Sequence, residues 1–138
     1  MTYNLMIEQK PVFLHATVTG RNSKENVIGY LEEILHECLV RNCFRVLIEE
    51  RLEGPRLGTF NVFEIASEGS HRVSGLLKSI AFVDVNAEGD LMHFAETVAV
   101  NRSLPVKVFP TVADAEKWLV EKAREASQLN DKSIIRAK

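Results

Sequence analysis

Polar and apolar positions alternate along residues 12–19, with Val12, Leu14, Ala16 and Val18 in one set and Phe13, His15, Thr17 and Thr19 in the other. A period of two sends successive side chains to opposite faces of a strand, so the run predicts a strand whose aliphatic set faces the core. Phe13 interrupts the polar set and predicts that this second face is partly covered. Another β-rich run, 5–9, comes first, and Lys10-Pro11 between the two reads as a hairpin turn. The period then changes. Val27, Ile28, Leu31, Ile34, Leu35, Cys38 and Leu39 recur at helical spacing as far as Arg41, and Glu32, Glu33, Glu37 and Arg41 fill the outer face. Asn22 with Glu25 three residues on has the form of a capping box and predicts the start of that helix.

Residues 44–48 are continuously apolar except for Arg45, which suits a central strand buried on both faces. The charged stretch 49–58, with Gly54 and Pro55, reads as a loop. A second helix is predicted from Thr59 to His71, burying Phe60, Phe63 and Ala66, or Val62 and Ile65. Residues 80–83 repeat the short apolar strand, and Asp90 caps a third helix carrying Leu91, Phe94, Ala95 and Val98. Ser103-Leu104-Pro105 stops it, 106–109 form the last strand, and Thr111 with Asp114 caps a fourth helix carrying Val112, Ala115, Trp118 and Leu119. The order β-β-α-β-α-β-α-β-α predicts an α/β fold on a mixed sheet of four to five strands, parallel beyond the opening hairpin. Periodicity ends near Ser127, so one domain is expected over 1–127 with a flexible tail over 128–138.

Composition narrows the function classes. A net charge of −2 and the lack of a basic stripe argue against a nucleic-acid partner. No run approaches the roughly 18 apolar residues that span a bilayer, and residues 1–10 do not resemble a signal peptide. Cys38 and Cys43 are five residues apart, a rise of roughly 7.5 Å along a helix, which disfavours a disulfide and points to a reducing cytoplasm.

Catalytic constellations are hard to assemble. There is no G-x-G-x-x-G, no GKS/T, no G-x-S-x-G, no C-x-x-C and no H-E-x-x-H, so the sequence predicts no nucleotide cofactor, no metal and no enzyme. Glu49 and Glu50 follow one strand and Asp84 another, where ligands of open α/β sheets bind. Adjacent residues of an extended chain point to opposite faces, so Glu49 and Glu50 do not pair, and solvated loop acids are the simpler reading. Cys38 fits the apolar helix stripe as a core residue. Thr59 reads first as the cap of the second helix and, more sharply, as a phosphorylation site at a helix N-terminus.

Ile80-Ala81-Phe82-Val83-Asp84, the helix opening Asp90-Leu91-Met92-His93-Phe94-Ala95, and the stretch from Val106-Lys107-Val108-Phe109 through Ala115-Glu116-Lys117-Trp118-Leu119 carry a likeness. With the element order, they resemble the SpoIIAA-like branch of the STAS family, over most of residues 1–126. That resemblance implies a non-enzymatic domain of the anti-sigma-factor-antagonist type, binding a protein partner and switched by a phosphate at the start of the second helix. The phosphorylated pattern in such members is roughly Asp-Ser/Thr-x-Gly. Here the stretch is Arg56-Leu57-Gly58-Thr59-Phe60, so the aspartate is missing and Thr59 matches by position alone. The implied partner or ligand surface comprises Glu50, Arg51, Arg56, Gly58, Thr59, Phe60, Phe63 and Asp84. An alternative implied by Sec14-related relatives of that branch is a carrier of an apolar small molecule or lipid, lined by Phe60 and Phe63. A homodimer is compatible with either.

Overall fold

The computed structural model describes residues 3–54, 65, 76–84, 96–97, 100–101 and 105–137, with side chains described as far as residue 129. Two strands open the chain, β1 (Tyr3–Gln9) and β2 (Leu14–Arg21), paired antiparallel. The turn between them closes with the Lys10 amide donating to the Phe13 carbonyl at 2.9 Å. That turn absorbs Val12 and Phe13, so β2 begins at Leu14 rather than at residue 12.

Helix α1 spans Lys24–Arg41. Its N-cap is Ser23, not Asn22: the Ser23 backbone is extended (φ −151°, ψ 156°) and its Oγ accepts the Asn26 amide at 3.1 Å. Asn22 still belongs to the β2–β3 pairing, its backbone N–H donating to the Glu53 carbonyl at 2.7 Å. The helix ends on Asn42, at φ 52°, whose N–H reaches back to the Cys38 and Leu39 carbonyls. Asparagine tolerates this left-handed C-cap position better than most residues.

Strand β3 runs Arg45–Glu53, five residues beyond the apolar stretch that predicts it. The reason lies in its neighbour. Strand β2 offers a continuous parallel ladder from Leu14↔Val46 to Arg21↔Glu53, which pairs backbone groups that a loop would leave to solvent. The loop expected to start at Glu49 is therefore strand, and begins only at Gly54, whose φ of 103° favours glycine. Strands β4 (Ser79–Asp84) and β5 (Val106–Val108) complete a five-stranded sheet of order β1-β2-β3-β4-β5, parallel from β2 onward.

Helix α2 (Val112–Ala137) starts as its sequence predicts, with Thr111 Oγ1 accepting the Asp114 amide at 3.2 Å. It continues past Ser127, so the backbone expected to form a loose tail is helical. Ile65 and residues 96–97 and 100–101 are helical and fall within the second and third predicted helices. Thr59 and most other positions of those two helices lie outside the described residues. The fold is thus α/β on a five-stranded mixed sheet, with α1 and α2 as its long helices among the described residues.

Two apolar layers sandwich the sheet. On one face Leu14, Ala16, Val18, Val46, Ile48 and Leu52 pack against Val27, Tyr30, Ile34 and Cys38 of α1, and Ile65 lies against them. On the other, Phe13, Leu47, Ala81 and Val83 pack against Ala115 and Leu119 of α2. Phe13, in the turn before β2, is 4% exposed and belongs to this second layer, so the face opposite the aliphatic set of β2 is covered there. Helix α1, in the crossover from β2 to β3, covers one face of the sheet, and α2 covers the opposite face. No described helix is long and apolar enough to cross a membrane.

Candidate functional site

The carboxyl ends of β3 and β4 gather the ionisable groups. Along β3 the alternation Val46, Ile48, Glu50, Leu52 faces α1, and Leu47, Glu49, Arg51 faces α2. Glu49 and Glu50 therefore diverge, as adjacent strand residues must. Neither is a solvated loop acid, however: Glu49 is 7% exposed and Glu50 5%. Burial of a carboxylate requires polar partners, and each has one of its own.

On the α1 face the Tyr30 hydroxyl donates to Glu50 Oε2. Tyr30 is fully buried, and its phenol is pushed well above its ordinary range, first by burial, then by the charge and hydrogen bond of Glu50, with Asp84 adding to it. The phenol thus remains a proton donor at neutral pH. Glu50 and Asp84 are direct register partners on neighbouring parallel strands and share this face, with Asp84 half-buried at the sheet edge. Each acid carried a signal for its own face, since Val46-x-Ile48-x-Glu50 and Ile80-x-Phe82-x-Asp84 continue two apolar runs at the strand period. Tyr30 also carried a signal, being a residue with a polar tip in the buried stripe Val27, Tyr30, Ile34, Cys38.

On the α2 face Glu49 Oε1 lies 2.8 Å from His15 Nε2, and its Oε2 accepts from Arg51 Nε. Burial raises the Glu49 carboxyl, but the hydrogen bonds and charges of Arg51 and His15 outweigh it and hold the group below its usual range. A carboxyl lowered by folding contributes stability above its unfolded value, and that contribution disappears as pH falls through the folded value. Glu49→Gln should therefore flatten the acid limb of the stability–pH curve, by about 1 kcal/mol or less because Arg51 is half exposed and screened. Urea unfolding between about pH 3 and 7 measures this, and an unchanged acid limb would remove Glu49 from the account.

Of the surface residues expected from the sequence, Glu50 is interior, Arg51 is exposed and turned toward Glu49, and Asp84 borders the edge. Arg56, Gly58, Thr59, Phe60 and Phe63 lie outside the described residues. The loop expected to present Glu50 is thus corrected, since that residue belongs to a buried strand.

Chemically, these groups are tied to one another. Among the described residues no three His, Cys, Asp or Glu side chains converge as metal ligands. Burial, with the charges of Cys43 and Glu37, pushes the Cys38 thiol up to about 11, so it is not a thiolate at neutral pH. Compared with known proteins, the chain matches no protein-family model and no curated protein.

Proposed function

We propose that the chain is a non-enzymatic regulatory or protein-binding domain of STAS-like type, working in the cytoplasm. It offers a protein partner the carboxyl ends of its parallel strands, at Arg51 and Asp84. The observation that supports this reading best is the mutual engagement of the buried acids. Glu50 is bound by Tyr30, and Glu49 by His15 and Arg51. Such groups stiffen the strand ends as a platform for the segments that leave them, whereas catalysis needs a nucleophile, base and oxyanion donors facing one reacting atom. The strand order, with an antiparallel strand at one edge and a closing helix on the opposite face, is compatible with the resemblance drawn from the sequence.

Native mass spectrometry of the protein from its own host, under gentle and then denaturing conditions, tests the proposal. A second polypeptide is expected under gentle conditions, with slowed hydrogen exchange at the end of β3. Phosphate mapping to Thr59 would add the switch. A small apolar molecule released only on denaturation, with no polypeptide partner, would overturn the proposal in favour of a carrier.

A further inference from the structure

Strand β1 is hydrogen-bonded to β2 along one side and has no strand neighbour on the other among the described residues. Beside that edge runs a groove of about 520 Å³ between β1 and α1. Its floor is the half-buried set Tyr3, Leu5 and Ile7, and its wall is the α1 surface at Gly29, Glu32, Glu33, His36 and Glu37. We propose that this groove binds an extended segment of a partner protein, which adds to β1 as a further strand and turns both apolar and basic side chains toward α1, on the same face.

Three features select that occupant. An edge strand presents backbone N–H and C=O groups at a spacing that only another extended chain matches. The apolar floor alternates with the strand period, so every second side chain of an added strand would meet Leu5 or Ile7. The wall carries three carboxylates, and their field reaches the floor. The Tyr3 phenol, which donates to Glu33, is pushed up to about 12 by burial, by that hydrogen bond and by the charges of Glu33 and Glu32. Arg41 pairs with Glu37 at 2.8 Å, whereas the donor to Glu33 is a phenol that brings no positive charge. Pairing β1 with β1 of a second copy would set two such acidic walls along one joint, which disfavours the chain itself as occupant. Gly29 has no side chain to obstruct the groove. The inference goes beyond the carboxyl-edge surface and stands or falls apart from it.

A fluorescent heptapeptide of sequence Lys-Thr-Val-Thr-Val-Thr-Lys, whose lysines and valines share one strand face, titrated with the full chain and followed by anisotropy, provides the test. Saturable binding is expected. Gly29→Met, which fills the groove while favouring the helix, should weaken it about tenfold. Glu33→Gln should weaken it less, and Glu121→Gln, the same charge change on α2, should leave it unaltered. A peptide N-methylated at alternate residues should also lose about tenfold, since it cannot pair with a strand edge. Thermal midpoints identify any variant that fails to fold, and the N-methylated peptide tests the pairing without a variant. Equal binding of the N-methylated peptide, or binding that Glu121→Gln weakens as much as Glu33→Gln, would overturn the proposal. So would a chain that ignores the peptide and dimerises through β1.

Discussion

Leu47→Ala should lower the unfolding free energy by about 2–5 kcal/mol, a large part of the roughly 5–15 kcal/mol that holds a domain folded. Leu47 is fully buried in the central strand, with His15 and Ala81 as its register partners on either side. Ala115 and Leu119 of α2 belong to the same packed layer. Because β3 is hydrogen-bonded to β2 and β4 along its length, the backbone cannot move in to fill the space, and the cavity persists. Urea unfolding measures the effect as a lower midpoint at an unchanged slope. Met6→Ala provides the control: Met6 is 72% exposed on the edge strand, and its loss should stay within about 0.5 kcal/mol. A Leu47→Ala cost as small as that would mean that α2 does not seat where it is seen.

Tyr30→Phe should cost about 1–3 kcal/mol, because it removes the phenol that donates to a carboxylate only 5% exposed. The same substitution should change the response to alkali. Folding raises the Tyr30 phenol above its ordinary value of about 10. Its contribution to stability is therefore complete below that unfolded value and is lost as pH rises through the folded one, where the unfolded chain has already released the proton. Wild type should destabilise progressively above about pH 10, and the variant less steeply, by about one proton's linkage. Phenolate absorbance gives a second readout. The chain has two tyrosines, and Tyr3 too is pushed up, to about 12. No phenolate should appear at the ordinary midpoint while the protein is folded. A folded protein ionising both tyrosines there, or the remaining one in a Tyr3→Phe variant, would sink the Tyr30–Glu50 assignment.

Much of the fold was legible because pattern and burial coincide in it. The α1 stripe, the buried aliphatic set of β2 and the Thr111 cap each depend on residues close in sequence. What escaped depends on partners far along the chain. Glu49 and Glu50 look like loop residues until β2 and β4 supply the ladder and His15, Arg51 and Tyr30 the polar contacts. Asn22 looks like a cap until Glu53 claims its amide. The helical continuation of α2 beyond Ser127 has no clear apolar periodicity to announce it. In the site, the divergence of Glu49 and Glu50 followed from strand geometry alone, whereas the alignment of Glu50 with Asp84 required the register between two strands.

The strand order has a consequence for the newly made chain. Each strand of the sheet lies beside the one synthesised just before it, from β1 to β5. A chain leaving the ribosome can therefore lengthen its sheet one strand at a time, starting from the local β1–β2 hairpin, without holding an early strand open for a late one. The exception is the face of Leu47, Ala81 and Val83, which stays uncovered until α2 has emerged. Among the described residues, that apolar surface waits longest for its cover during synthesis and is where a chaperone's protection would count.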